Sequence, residues 1–241
     1  MNLRRIEEAS LNAWPALQQA LYDGWLLRFS GGYTKRANSV NPLYPSLLDL
    51  GDNIRSCERE YAARGLPPIF RLTPFAPAGL DPLLARRGYR VLDPTLVLRR
   101  QLAGFRCADL ADGSLAELAP DEWLAEFHRL KGTASNPAHR AMLQAIPAVC
   151  FRAALMVAGG VATCGLGVLE DGLLGVFDLV TDPEQRRQGH GTRVVGGLLA
   201  WALGLGGHEA YLQVMESNEP ARRIYAKLGF EEAYRYWYRV Q

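Results

Sequence analysis

The second half of the chain alternates apolar runs with turn signals, a pattern that predicts three antiparallel strands. The runs are Val149–Val157, Val161–Leu169 and Gly172–Thr181. They are separated by Gly159-Gly160 and by Asp171-Gly172, and glycine-containing pairs of this kind favour tight hairpins. Each strand is therefore expected to pair with the one before it.

The period of the pattern changes after the third strand. Asp182–Gly191 is a polar turn, and Thr192–Leu205 has the small and apolar residues of a helix that packs on a sheet. Glu209–Met215 alternates like a strand. Pro220–Leu228 begins with proline and stops before Gly229, which are start and stop signals of a helix. A turn, a helix, a strand and a second helix are thus predicted in that order.

Three further segments complete the predicted order. Pro120–Lys131 and Pro137–Ile146 are helix candidates ahead of the strands, and the aromatic segment Phe230–Val240 is a strand candidate at the end. After the two helices the expected order is β-β-β-turn-α-β-α-β-β, with two strands in the last position.

The first half of the chain repeats part of this pattern. Asp81–Asp93 aligns with Arg222–Tyr234 and places Gly88 on Gly229. Each segment follows a strand candidate and, before it, a helix candidate, namely Ile69–Thr73 after Asn53–Arg64 and Tyr211–Met215 after Thr192–Leu205. The repeat predicts two units, residues 1–105 and residues 106–241, with the same architecture.

Composition excludes several classes of protein. The chain has 241 residues, 49% of them hydrophobic, yet no apolar run approaches the ~20 residues of a membrane span. The N-terminus lacks the pattern of a secretory signal, so a cytoplasmic protein without a membrane partner is expected. The net charge is +5 in residues 1–105 and −3 in the rest. This asymmetry is too mild to imply nucleic acid, which stays a weak alternative for the basic half.

The cysteines do not indicate a metal site or a disulfide framework. They are scattered without CxxC or Cys/His spacing, so buried free thiols and no metal are expected. The four positions are Cys57, Cys107, Cys150 and Cys164.

The turn Arg186–Thr192 reads Arg-Arg-Gln-Gly-His-Gly-Thr and leads from a predicted strand into a predicted helix. Such a turn presents unpaired N–H groups at the positive end of the helix, which favours phosphate. Gly189 and Gly191 let the backbone approach an anion, while Arg186 and Arg187 supply positive charge. Taken alone, the turn is equally compatible with an ordinary loop carrying solvated arginines.

A second segment makes the interpretation more specific. The turn resembles the Arg/Gln-x-x-Gly-x-Gly/Ala signature of the GCN5-related N-acetyltransferase (GNAT) family, and Asp178–Arg186 is similar to that family's fourth strand and its exit. Ser217–Phe230 is similar to the family's Asn-x-x-Ala-x-x-x-Tyr-x-x-x-Gly-Phe segment. The resemblance covers roughly residues 116–240.

The resemblance implies a fold and a domain organisation. The fold is α/β (α+β), with a mixed, mostly antiparallel central sheet flanked by helices. Two GNAT-like units in tandem are expected: residues 1–105 as a degenerate unit without a cofactor loop, and residues 106–241 as the catalytic unit. The protein is expected to act as a monomer or homodimer.

The resemblance also implies an activity and a set of site residues. Acetyl-CoA would be the donor, and a primary amine of a small molecule or a peptide would be the acceptor, by direct attack and without a metal. Tyr225 would protonate the departing thiolate. The implied cofactor-binding residues are Leu179, Val180, Thr181, Arg186, Arg187, Gln188, Gly189, His190, Gly191, Thr192 and Asn218.

Several of these residues have plainer alternatives. Tyr225 could be a core aromatic residue on an amphipathic helix. Asn218 could cap its own helix. His190, which stands between the two glycines, is expected to be solvated rather than catalytic.

The general base is an open question in the sequence. Many family members carry a glutamate where this chain has Gln213, which cannot accept a proton. Asp178 and Glu216 are the remaining acids near the expected site, although the first could be a structural hydrogen-bond acceptor and the second a solvated carboxylate. Gln213 also favours the alternative function, a non-catalytic CoA-binding or interaction module of the same fold.

One stretch in the first half is unusually polar. Tyr33–Asn41 follows the Gly31-Gly32 turn and carries more polar groups than a buried strand should. A solvated strand or loop is the ordinary interpretation. The alternative is that Arg36 and Asn38 face the cleft between the halves and help to recognise the substrate.

Overall fold

The computed structural model describes residues 2–106 and 115–241, and these contain eleven strands and seven helices. The strands are β1 (Gln18–Tyr22), β2 (Trp25–Phe29), β3 (Val40–Pro42), β4 (Ile69–Leu72), β5 (Arg90–Gln101), β6 (Leu115–Glu117), β7 (Val149–Val157), β8 (Gly160–Glu170), β9 (Leu173–Thr181), β10 (Glu209–Met215) and β11 (Glu231–Val240). The helices are α1 (Leu3–Ala13), α2 (Leu50–Ala62), α3 (Leu80–Arg86), α4 (Pro120–Lys131), α5 (Pro137–Gln144), α6 (His190–Gly204) and α7 (Glu219–Lys227).

The predicted elements of the second half are present, and some of their bounds shift. The three hairpin strands pair antiparallel, but the first hairpin turns at Ala158 and Gly159, because Gly160 already belongs to β8. The helix predicted from Thr192 begins at His190, since Gly189 adopts the left-handed conformation of its N-cap. The fold class predicted from the sequence is confirmed.

The strands form one continuous sheet in the order β1-β2-β3-β4-β11-β5-β10-β9-β8-β7-β6. Strand β5 lies between β10 and β11, and it pairs antiparallel with both. Strand β11 in turn lies between β4 and β5. Each half of the chain therefore inserts its last strand into the part of the sheet built by the other half.

This exchange corrects the predicted element order. The second half was expected to end in two strands, but within residues 115–241 only β11 follows α7, and the neighbouring strand is β5 of the first half. Backbone hydrogen bonds are satisfied equally well by a strand from either half. The proposed boundary at residues 105 and 106 thus divides the sequence, while the sheet crosses it. Residues 107–114, directly after the boundary, lie outside the described residues.

The core has two faces. Along β5, Val97 packs with α1, α4 and α5, whereas its neighbours Leu96 and Leu98 pack with α6 and α7 on the opposite face. On β11, Trp237 faces the cluster of α2 and α3, while Tyr236 faces α1. Among the described residues, no helix is both long and apolar enough to cross a membrane.

The described cysteines are free thiols. Cys57 and Cys164 are buried and Cys150 is partly buried. Burial raises the pKa of the Cys57 and Cys164 thiols to about 12, so neither is a reactive thiolate at neutral pH. Cys107 lies outside the described residues.

Candidate functional site

Two parallel strands part in the middle of the sheet. The ladder between β9 and β10 runs from Leu173↔Glu209 to Val176↔Leu212 and ends there. Beyond that point β9 stays paired with β8, and β10 stays paired with β5. The edge of β9 that carries the predicted pantetheine-binding residues Leu179, Val180 and Thr181 therefore faces an opening. The first half supports this opening, because its strand β5 holds β10 from the far side.

A β-bulge shapes the edge of β9. Phe177 pairs with Leu166 and Val180 with Cys164, so Asp178 and Leu179 together oppose the single residue Gly165. Asp178 has a φ of 47°, in the left-handed region that aspartate tolerates better than most residues. Bulges re-aim side chains, and here Phe177 and Asp178 both contact groups on the face of α1 and α5.

Asp178 is paired with a histidine of α5. Oδ2 of Asp178 lies 2.9 Å from Nε2 of His139. The His139 side chain is 0% exposed and that of Asp178 is 12% exposed. Of this pair, only the carboxylate is open to a molecule in the cleft.

Aromatic rings from both halves surround this pair. Tyr33 stacks on His139 with ring centroids 5.2 Å apart, and Trp14 lies 5.6 Å from the same imidazole. On the other side, Phe127 of α4 meets His139 edge to face at 5.2 Å. Burial, followed by the charge of Asp178, raises the pKa of Tyr33 to about 12, so its hydroxyl stays a proton donor at neutral pH. The first half therefore forms one wall of the cleft.

The predicted phosphate turn has an open helix start. Gly189 is the N-cap of α6 with a φ of 81°, and it provides no side-chain cap. In the part of the chain that the structure describes, the N–H groups of Gly189 to Thr192 donate to no backbone or side-chain acceptor. Arg186, Arg187 and Gln188 are exposed, and Nε of Arg186 lies 3.4 Å from the carbonyl oxygen of Thr181. A phosphate would find donors and positive charge together here.

His190 is not solvated, contrary to the expectation from the sequence. It is 7% exposed, and both ring nitrogens lack a partner among the described residues. A buried unpaired polar atom is costly, and a ligand in the adjacent turn would relieve that cost. At Gly191 an added Cβ would approach Cδ1 of Ile224 to 3.2 Å, so α7 lies close to this turn. The residues present fit a pyrophosphate.

Tyr225 lies on α7, in the core cluster that α6 and α7 form on one face of the sheet. It is 7% exposed and its ring meets Phe230 at a centroid distance of 5.9 Å. Burial raises its pKa to about 12, above the ordinary value of ~10. The phenol is therefore protonated throughout the neutral range, and it is a weaker acid than a solvated tyrosine.

The remaining predicted residues take structural positions. The side chain of Asn218 accepts from the N–H of Ala221 at 3.2 Å and so caps α7. The Glu216 carboxylate pairs with Arg235 at 2.9 Å on the surface. The amide oxygen of Gln213 accepts from the hydroxyl of Tyr236 at 2.9 Å.

The polar stretch of the first half divides into two roles. Asn38 is 3% exposed, and its amide oxygen accepts from the N–H groups of Ser30 and Gly32. The alternative in which Asn38 faces the cleft is therefore wrong, because its side chain holds the turn before it. Arg36 does reach the cleft, where its guanidinium lies 5.9 Å from the ring centroid of Phe177.

Sequence reasoning missed three residues of the cleft: His139, Tyr33 and Trp14. His139 lies 39 positions from Asp178 and carries no motif. In the sequence, the available signal was a histidine in the first turn of a helix that begins with proline. Tyr33 was noted only as the start of a polar stretch.

Comparison with known proteins identifies the family. A family model described as "Probable histone acetyltransferase Rv0428c C-terminal" matches residues 1–239. The "Uncharacterized N-acetyltransferase YobR" of Bacillus subtilis (strain 168) is 28% identical over 246 residues, covering 100% of this chain and 99% of the relative.

Solved structures share the fold. A GCN5-related N-acetyltransferase from Kribbella flavida superposes with a TM-score of 0.76 at 18% identity, covering 99% of this chain and 95% of the other. A tandem GNAT protein from the clavulanic acid biosynthesis pathway superposes with a TM-score of 0.58 at 19% identity, covering 79% and 69%. The chain therefore has the fold of the GCN5-related N-acetyltransferases, and it belongs to the family of the Rv0428c C-terminal region, which makes it an acyl-CoA N-acyltransferase.

Proposed function

We propose that the protein transfers an acetyl group from acetyl-CoA to a primary amine in the cleft between β9 and β10. The proposal rests on one observation: a candidate proton acceptor and a candidate phosphate site lie along the same strand, β9. The parted edge of β9 holds the bulged carboxylate of Asp178, and the same strand leads into the uncapped start of α6.

Donor binding rests on the α6 turn and the β9 edge. Backbone N–H groups of Gly189 to Thr192, with Arg186 and Arg187, would hold the pyrophosphate. Unpaired backbone groups of Leu179, Val180 and Thr181 would bind the pantetheine amides in the manner of an added strand. Asn218 is a further candidate contact at the start of α7.

Proton transfer from the amine is assigned to Asp178. As the amine nitrogen bonds to the acetyl carbon, its proton passes to the Asp178 carboxylate, which His139 holds in place. A positioned base of this kind contributes about 10²- to 10⁴-fold to a rate. Glu216 is the less suitable acid, because Arg235 already engages it on the surface.

Tyr225 supplies the proton that the leaving thiolate of CoA needs. When the carbon–sulfur bond breaks, the sulfur takes the phenolic proton and leaves as the thiol. The phenolate then recovers a proton from solvent, while Asp178 releases its proton to solvent. Negative charge on the acetyl oxygen would be stabilised by a backbone N–H near Val180.

Acetyl-CoA binding is tested by thermal shift, and transfer by thiol release over a panel of amines. Gly189→Glu places a carboxylate at the helix start where phosphate would bind. Gly79→Glu is the matched control, because Gly79 is also a helix N-cap, with a φ of 88°. Both substitutions incur the left-handed penalty of about 1–2 kcal/mol, so both lower the melting temperature similarly. Only Gly189→Glu should lose the stabilisation by acetyl-CoA.

Two outcomes would overturn the proposal. Equal stabilisation of both variants by acetyl-CoA would show that the α6 turn does not bind the donor. Binding without thiol release for any amine of a broad panel would remove the transfer step and favour the non-catalytic alternative.

A further inference from the structure

Arg36 occupies an unusual position for a charged residue. It lies in the short 3₁₀ turn Lys35–Ala37 of the first half, and its guanidinium stands 5.0 Å from the ring centroid of Trp14 and 5.9 Å from that of Phe177. It is partly buried. Within residues 2–106 and 115–241, no carboxylate lies at ion-pair distance from it. The neighbouring Lys35, by contrast, is paired with Asp93 at 3.0 Å.

A second arginine fixes the backbone of Arg36 from behind. Arg28 is 1% exposed, and among the described residues its guanidinium donates only to carbonyl oxygens, which belong to Leu11, Trp14 and Arg36. Its positive charge is therefore not neutralised by a carboxylate. The buried Glu7 close to this region is already paired with Arg71. The wall that carries Arg36 is thus electropositive, and an anion there would be attracted by two arginines.

Arg36 and Asp178 face the same space. The bulge on β9 turns the adjacent residues Phe177 and Asp178 to one face of the sheet. Arg36 lies over the ring of Phe177 on that face. The hydroxyl of Tyr33 experiences both charges, since Asp178 and Arg36 shift its pKa in opposite directions. A small molecule that places an amine at Asp178 can therefore place a second group at Arg36.

We propose that Arg36 binds a carboxylate of the acceptor, so that the substrate is a small amine that also carries a carboxylate, as an amino acid does. This inference rests on the proposed function of the cleft. The guanidinium lies over the ring of Trp14, and this cation–π contact does not use its N–H groups, which can bind a planar carboxylate. Arg36 is then a specificity-determining residue that the first half supplies to the site of the second half.

The test compares matched pairs of amines that differ only in the carboxylate: tyramine with tyrosine, phenethylamine with phenylalanine, and cadaverine with lysine. For the wild type, kcat/KM should favour the carboxylated member by about 10- to 100-fold. Arg36→Ala should bring that ratio close to one, because kcat/KM should fall more for the carboxylated amines than for the carboxylate-free ones. Lys35→Ala is the matched control, and it should keep the wild-type ratio.

A binding experiment separates this inference from the proposed function. N-acetyltyrosine and N-acetyltyramine are titrated into the wild type and the two variants, which requires no turnover. Preferential binding of N-acetyltyrosine to the wild type and to Lys35→Ala, but not to Arg36→Ala, supports the carboxylate site. Equal binding of the two compounds to the wild type overturns it, even if acetyl-CoA binds and amines are acetylated. If the wild type does not bind acetyl-CoA but still prefers N-acetyltyrosine, only the proposed function is overturned.

Discussion

Both halves of the sheet lead from a strand into a helix at corresponding places. In the first half the chain leaves β3 at Pro42 and enters α2 at Leu50, and in the second half it leaves β9 at Thr181 and enters α6 at His190. At the start of α2, the Asp49 carboxylate accepts from the N–H of Gly51 at 2.7 Å. At the start of α6, Gly189 offers no side chain at all.

The loop before α2 is also closed by a second carboxylate. Asp23 accepts from the N–H groups of Leu47 and Leu48, each at 3.0 Å, and from the side chain of Asn53 at 2.8 Å. Negative charge and satisfied donors leave no place for a phosphate there. The corresponding turn before α6 carries Arg186 and Arg187 instead. The same architecture thus becomes an anion site or a closed loop according to which groups satisfy the helix start.

The strands that lead into these turns differ as well. β3 has three residues and contacts β4 through the single pair Val40↔Phe70. β9 has nine residues and carries the bulge at Asp178. Only the second half therefore combines a parted strand edge with a carboxylate aimed into the cleft. In the first half, the corresponding part of the fold supports the sheet and lines the cleft of the second half.

The largest effect is expected from removing the charge on β9. Asp178→Asn keeps a residue that tolerates the left-handed conformation but abolishes the proton acceptor. We expect kcat to fall by about 10²- to 10⁴-fold, with acetyl-CoA affinity unchanged, in steady-state thiol-release kinetics and calorimetric titration.

Asp171→Asn is the control for that variant. Asp171 has a φ of 48°, close to that of Asp178, and lies at a hairpin away from the cleft, where it pairs with Arg5. Its variant should keep wild-type kcat. If Asp178→Asn were as active as Asp171→Asn, the Asp178 carboxylate would not be the proton acceptor of the reaction.

Local signals in the sequence predicted most elements correctly. The bounds of α4 and β10 agree residue for residue with the prediction, because a proline starts the helix and alternating apolar and polar residues mark most of the strand. Gly88 and Gly229 end their helices with φ values of 86° and 74°, as the repeat implied. These features depend on neighbours a few residues apart.

The strand exchange could not be predicted in this way. Leu98 pairs with Leu212 on one side and with Glu232 on the other, across more than a hundred positions of sequence. Any apolar strand would satisfy the same pattern. The contact between His139 and Asp178 and the burial of His190 depend equally on long-range packing. The motifs located the turn and Tyr225, and the polar stretch pointed to Arg36 as an alternative, but the contribution of Trp14 and Tyr33 to the wall became evident only in three dimensions.

A smaller effect is expected from reversing charge at the α6 turn. In the double variant Arg186→Glu plus Arg187→Glu, two charge-assisted contacts to phosphate are replaced by repulsion. Each such contact is worth about 1.5–3 kcal/mol, so acetyl-CoA affinity should fall by at least about 10²-fold in a calorimetric titration. The loss should be reduced at high salt, since both side chains are exposed.

The same reversal on α2 provides the comparison. Arg55 pairs with Asp52 on the surface and Arg59 hydrogen-bonds Ser56. Surface pairs contribute ~0–1 kcal/mol, so Arg55→Glu plus Arg59→Glu should fold and bind acetyl-CoA as the wild type does. A comparable loss of affinity in this variant would mean that general charge, rather than the α6 turn, attracts the donor.

The smallest effect concerns the closed loop before α2 and depends on pH. Hydrogen bonds from Asn53, and then from the N–H groups of Leu47 and Leu48, lower the pKa of Asp23 below its ordinary value. An acid with a lowered pKa in the folded state stabilises the protein above the unfolded value of ~3.9, and this stabilisation is lost as the pH falls through the folded value. Asp23→Asn should therefore melt below the wild type at pH 7, with the difference shrinking below about pH 4.

Asp52→Asn is the control for this pH dependence, because Asp52 lies in the first turn of α2 and forms an exposed pair with Arg55. Its melting temperature should follow that of the wild type across the range. A constant difference between Asp23→Asn and the wild type from pH 7 to pH 3 would show that Asp23 acts through its shape rather than its charge. The contrast between the two turns would then rest on Asp49 and the arginines alone, since the loop before α2 would be closed without the charge of Asp23.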